Sequence, residues 1–154
     1  MPRSIEYATD FRARPECYQI GRGEAGVFKV QPYKSELLPL WSFKTPEAAR
    51  ASAAALWAQY EAYRVAGDFV GMDMARKYLQ MGFTRAMRYA KFPGGRKLDP
   101  DGTPREPQQW ADPAKREAAL VFKAKWDAVR ADPVYQERKA AHQAHARPSE
   151  CDEV

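Results

Sequence analysis

The stretch from Thr45 to Asp68 constrains this chain more than any other, because it carries the start and stop signals of two helices in succession. Thr45 can cap a helix with its hydroxyl, and Pro46 suits the first helical position, where its fixed φ is already helical. Gly67 supplies the left-handed residue that ends many helices. A helix is therefore predicted from about Pro46 to Ala66, with Ala49, Ala53, Leu56, Tyr60 and Tyr63 at helical spacing on one core-facing side. Asp68 caps a second helix, roughly Phe69 to Ala90, whose apolar stripe includes Met72, Ala75, Leu79, Phe83, Ala86 and Ala90. So short a joint turns the two on each other as an αα-hairpin or helix-turn-helix unit. Gly71 and Gly82 weaken the second helix by about 1 kcal/mol each relative to alanine. Close approach by another backbone and a simple lapse in propensity explain them equally well.

A length of 154 residues suits one domain with a core that needs no metal or disulfide staples, and a hydrophobic content of 45% argues against global disorder. Asp112-Pro113 opens a helix carrying Ala119, Phe122, Trp126 and Val129, and Asp132-Pro133 opens another that reaches about His145. Between the helical hairpin and these helices, Pro93 to Ala111 is too rich in proline and glycine for regular structure. Near the N-terminus, Val27 to Gln31 alternates apolar Phe28 and Val30 with polar Lys29 and Gln31, a strand pattern. Tyr18 to Ile20 is its predicted partner across the glycine-rich Gly21 to Gly26. The expected fold is mainly α with a small N-terminal β-hairpin, an α+β arrangement in which the αα-hairpin packs on two C-terminal helices. Residues 1–147 form the expected single globular domain, and 148–154 a frayed tail.

A net charge of +5 and a pI near 9.2 favour polyanionic partners, and the distribution of charge says more than its total. From Met74 to Leu98 there is no Asp or Glu, while Arg76, Lys77, Arg85, Arg88, Lys91, Arg96 and Lys97 all occur. At helical spacing Arg76, Gln80, Thr84 and Arg88 share one flank and Lys77, Met81 and Arg85 the next, opposite the apolar stripe. Long cations with amide and hydroxyl donors suit phosphate oxygens, so the segment reads as a nucleic-acid-binding helix followed by a Gly-rich basic loop. The bland alternative is a solvated face neutralised by Glu47, Glu61, Glu117 or Asp127 from other helices. DNA or RNA is the expected partner, with Arg22 and Lys34 as possible further anion contacts.

Gly21 to Gly26 matches G-x-G-x-x-G as a string, but a strand rather than a helix is predicted after it, so a hairpin turn is the better reading. A phosphate contact there, with Arg22, Tyr33, Lys34 and Glu36, gives a second hypothesis: a small enzyme or binding protein for a phosphorylated metabolite. Trp41 and Phe43, with Tyr33, Lys34 and Lys44, interleave aromatics and cations as base-stacking surfaces do, though closing a small core is the commoner use. A protein-interaction module using exposed aromatics is the third reading. His142 and His145 with Cys151 and Asp152 are too sparse for a metal site. No serine stands in a recognisable nucleophile setting, and nothing selects Glu36, Asp68 or Asp73 as an acid or base, so enzymatic activity stays open and neither cofactor nor metal is implied. Cys17 and Cys151 lie near opposite ends in no framework spacing, which points to a reducing compartment. The apolar-leaning run Ala51 to Ala58 is too short to span a bilayer, and a cytoplasmic protein is expected.

Several stretches carry a family resemblance: Tyr18-Gln19-Ile20-Gly21-Arg22-Gly23-Glu24, Pro32-Tyr33-Lys34-Ser35-Glu36, Phe43-Lys44-Thr45-Pro46-Glu47, and above all Asp68 to Lys77 with Gly82-Phe83-Thr84-Arg85. They resemble an uncharacterised bacterial and phage family, domain-of-unknown-function family 4385. The resemblance spans most of the chain and implies a stand-alone domain of this length. It transfers no catalytic residue, because the family carries no established activity.

Overall fold

Each of the four long helices begins on the cap that its sequence offers. In a computed structural model that describes residues 9–21, 27–147 and 151, five α-helices follow in order: α1 (Tyr33–Leu37), α2 (Pro46–Ala66), α3 (Phe69–Lys91), α4 (Pro113–Ala131) and α5 (Pro133–His145). Thr45 Oγ1 accepts from the Ala48 amide at 3.0 Å, and Asp68 Oδ1 from the Gly71 amide at 3.0 Å. Asp112 Oδ1 accepts from Lys115 at 3.1 Å and Asp132 Oδ1 from Val134 at 2.9 Å. Gly67 ends α2 with a φ of 73°, and the Asp68 amide closes the turn on the Tyr63 carbonyl. Each cap satisfies a donor or acceptor that a helix end would otherwise leave orphaned.

The apolar face expected of α2 is buried in full, and α4 packs along both α2 and α3. Gly71 and Gly82 are close-approach sites rather than lapses in propensity. A Cβ on Gly71 would lie 2.4 Å from the Tyr63 ring of α2, and one on Gly82 would lie 2.5 Å from the Phe122 ring of α4. Thus α2 and α4 meet α3 where it has no side chain.

No β-strand occurs among the described residues, so the expected N-terminal hairpin does not exist and the fold is all-helical rather than α+β. Residues 27–30 form a turn, residues 18–20 have no regular structure, and residues 22–26 lie outside the described residues. The alternation of Phe28 and Val30 was misleading, because the buried pair is Val27 and Val30, three apart, while Phe28 is half-buried. The backbone finds partners without a ladder. Val27 O accepts from Tyr78 Oη at 2.8 Å, Val30 O from the Lys34 amide, and Gln31 O from the Phe11 amide. This segment lies on α3 as an irregular wrap.

Two polar clusters fasten the wrap and the C-terminal helices. Arg12 forks onto Glu36 at 2.7 and 2.8 Å and reaches Asp68 at 3.3 Å, while Tyr33 donates to Asp68 at 2.7 Å and Tyr63 to Glu36 at 2.6 Å. Asp132 accepts from Tyr60 at 2.6 Å and from Arg64 Nε at 2.9 Å while capping α5. Cys17 and Cys151 form a disulfide across 134 residues of sequence, with Cα atoms 5.6 Å apart. That removes the argument for a reducing compartment, which rested on their spacing in the sequence. Separation along the chain carries no information about proximity in the fold.

Gly82→Ala will lower stability by about 1–3 kcal/mol through overpacking against Phe122, outweighing a helix-propensity gain of about 1 kcal/mol, as read by urea titration. Reducing the disulfide, or replacing both cysteines with serine, will cost about 2–4 kcal/mol in the same assay, since the closed loop is long.

Candidate nucleic-acid interface

The basic segment of α3 divides into two halves with different surroundings. From Phe69 to Leu79 every residue is buried, including Asp73, Arg76 and Lys77. Arg76 and Lys77 therefore do not face solvent as the helical wheel suggested, because the N-terminal wrap and α5 cover that flank. Arg76 donates from Nε and Nη2 to Asp73 Oδ1 at 3.0 and 2.8 Å and from Nη1 to Gln80 Oε1 at 2.8 Å. Tyr135 Oη donates to Asp73 Oδ1 at 2.6 Å, Tyr18 Oη donates to Oδ2, and Lys77 Nζ lies 5.0 Å from the centre of the Tyr18 ring.

Burial alone would push the Asp73 carboxyl up, but Arg76, the two tyrosine hydroxyls and Lys77 outweigh it and hold it below its ordinary range. Burial takes Lys77 down to about 8, against the opposing pull of Asp73. Tyr18 and Tyr135 are both raised, first by burial and then by the Asp73 charge. The acid that pairs Arg76 sits one residue before the acid-free run, at the i, i+3 spacing of helix ion pairs. That spacing was the signal available in the sequence.

The second half of α3 faces outward. Arg85 and Arg88 are exposed, Lys91 is half-buried, and Arg96 and Lys97 are exposed on the following loop. None of these five is ion-paired with a carboxylate among the described residues. Glu47 and Glu117 pair instead with Arg50, and Asp127 with Lys123 and Arg130, so three of the four acids that could have neutralised the face are used elsewhere. The loop is held in place: Arg88 Nε donates to Gly95 O at 2.6 Å, and Arg105 Nη1 to Pro93 O and Arg96 O at 3.2 and 3.1 Å.

Beside these cations stands an aromatic cluster. Trp41 and Phe43 have ring centres 5.2 Å apart, and Phe43 and Tyr89 5.8 Å. The Arg85 guanidinium lies 5.6 Å from the Trp41 ring and 5.8 Å from Phe28. Lys115 Nζ sits 4.9 Å from Phe43 and 5.5 Å from Tyr89, and donates to the Phe43 and Lys44 carbonyls. Trp41, Phe43, Tyr89, Lys44 and Lys115 line a hollow of about 390 Å³. Tyr89 and Lys115 were not identified from sequence, because their closeness to Phe43 arises only when α3 and α4 pack beside the segment that leads into α2.

Of the remaining expectations, Arg22 lies outside the described residues and Lys34 is half-buried on α1, apart from the α3 cations in sequence. Tyr33, Glu36 and Asp68 are engaged in the Arg12 cluster. His142 contacts the Tyr18 carbonyl at 2.6 Å, and among the described residues no group of three or more His, Cys, Asp or Glu is placed to hold a metal. No described helix is long and apolar enough to cross a membrane. In comparisons with known proteins, a family model described as "Domain of unknown function (DUF4385)" matches residues 3–145. No curated protein and no solved structure matches the chain.

The buried ionisable groups make stability depend on pH with a definite sign. Between about pH 8 and 10, the unfolded chain holds a proton on Lys77 that the native chain lacks, so stability rises with pH. Above about pH 10 the native chain retains protons on Tyr18 and Tyr135 that the unfolded chain has lost, so stability falls. Thermal melts should peak near the top of that window, and Lys77→Met should remove the rising limb. A wild-type profile that declines from pH 8 upward contradicts the assignment.

Proposed function

We propose that this chain, which belongs to the domain-of-unknown-function family DUF4385, binds nucleic acid through the exposed C-terminal half of α3 and the loop after it. Arg85, Arg88 and Lys91 contact phosphates, with Arg96 and Lys97 extending the track, and bases stack at the Trp41, Phe43 and Tyr89 cluster. Arg76 and Lys77 are left out of the contact surface, because both are buried. The carrying observation is the juxtaposition of cations that lack carboxylate partners among the described residues with a partly exposed three-ring cluster. Cations alone track a backbone, whereas rings beside them give a base somewhere to stack without reading its sequence. The reading is therefore weakly sequence-dependent binding, stronger on single strands, since a duplex hides its base faces.

The metabolite reading built on the Gly21 to Gly26 turn, Arg22, Tyr33, Lys34 and Glu36 has less to support it: residues 22–26 lie outside the described residues, Tyr33 is fully buried, and Glu36 is committed to Arg12 and Tyr63. The protein-interaction reading built on exposed aromatics would have to use the same cluster: of the exposed large hydrophobics, Tyr89 belongs to it, while Val65, Leu98 and Leu120 are spread over α2, the loop and α4.

Fluorescence anisotropy with single-stranded and duplex DNA and RNA over a salt series tests the proposal. Arg85→Ala with Arg88→Ala should weaken binding and flatten the single-strand salt slope by about 1.4, that is, about 0.7 for each of two lost phosphate contacts. Tyr89→Ala should weaken single-strand binding by about 1–3 kcal/mol and leave the slope unchanged. Absence of binding at low salt, or a double variant that binds like wild type, overturns the proposal.

A further inference from the structure

On another face, a cleft of about 320 Å³ opens between α3, α4 and α5, with Ile20 and Gly21 at its edge. Arg76 and Gln80 of α3, Trp126 and Arg130 of α4, and Tyr135 and Lys139 of α5 line it. Three helices thus each bring one cation to a single space. We propose that this cleft binds the phosphate group of a small molecule.

Among the described residues, the charges around it leave a positive excess. Asp73 lies beneath Arg76 and balances it, and Asp127 balances Arg130 while also pairing with Lys123. Lys139 has no carboxylate partner among the described residues, and Lys77 is buried against the Tyr18 ring. The neutral groups are donors as well. Gln80 Oε1 accepts from Arg76, so the atom it can offer a ligand is its Nε2 amino group, and Gln143 adds a second amide at the wall.

The arginine at the floor is held still. Asp73 fixes Arg76 through Nε and Nη2, and Asp73 is itself fixed by Tyr18 and Tyr135 from two other parts of the chain. Taking an ion pair out of water costs several kcal/mol per ion, and apolar packing of the same volume is often at least as stabilising. A pair kept at the floor of an open cleft has a use that apolar side chains would not serve: it presents a preoriented, partly desolvated cation to an anion. The volume is at the small end of ligand sites, about 300–1,000 Å³. Trp126 lines the same cleft, with the Arg130 guanidinium 4.0 Å from its ring centre.

The test is thermal shift of the full chain in inorganic phosphate against sodium chloride at matched ionic strength, comparing wild type with Arg130→Ala plus Lys139→Ala. Both substitutions are outside the buried cluster, so the variant folds around an intact Asp73. Wild type should show a saturable rise at millimolar phosphate, and the variant should need about ten-fold more phosphate for the same shift. Arg85→Ala with Arg88→Ala should respond like wild type, which separates this site from the nucleic-acid face. Phosphate also stabilises proteins by exclusion from their surfaces. An equal rise in wild type and the Arg130, Lys139 variant, or no rise beyond chloride, therefore overturns the proposal.

Discussion

Burial of the Asp73 carboxylate is the constraint from which much of this structure follows. A charge in the second turn of a helix that is covered on all sides must be compensated where it stands, or it costs several kcal/mol. The compensation comes from three directions: Arg76 one turn along α3, Tyr18 from the N-terminal wrap and Tyr135 from α5. Because each donor belongs to a different part of the chain, satisfying one carboxylate also fixes the positions of those parts. Hydrogen bonds to a single charged acceptor therefore do work that a sheet ladder or a larger apolar core would do elsewhere.

The same burial explains why the cations of α3 have two fates. In its first half the helix is the centre of the fold, where the wrap and α5 bury Lys77 and leave of Arg76 only the edge that lines the cleft between α3, α4 and α5. Beyond Met81 and Gly82 the polar flank emerges, and Arg85 is the boundary, with its guanidinium over Phe28 and Trp41 at the rim of the wrap. The proposed nucleic-acid surface begins where covering ends. The disulfide acts on the covering side, since Cys17 adjoins Tyr18 and pairs the wrap with Cys151.

Much of the helical architecture was legible locally. Thr45, Gly67, Asp68, Asp112 and Asp132 each announce a boundary through chemistry that involves residues at most five apart, and such signals survive whatever the rest of the chain does. The apolar stripes were legible for the same reason, because helical periodicity is a property of one element. Val27 to Gln31 was misread because five residues cannot separate a period of two from a turn with buried residues three apart. Its partners, Tyr78 and Phe11, are distant in sequence.

Of the candidate site, the sequence by itself determined an acid-free run of cations on a helix and, separately, a pair of aromatics ahead of α2. It could not say which cations would be covered, because coverage depends on elements up to 62 residues away, as Tyr135 is from Asp73. Nor could it bring Trp41 and Phe43 to Tyr89 and Lys115, or Arg130 and Lys139 to Arg76, since each grouping arises from docking between elements. Boundaries and faces are set by forces acting within a few residues. Exposure, pairing and the shape of a cleft are set by what packs on those faces, and that was decided only by the tertiary structure.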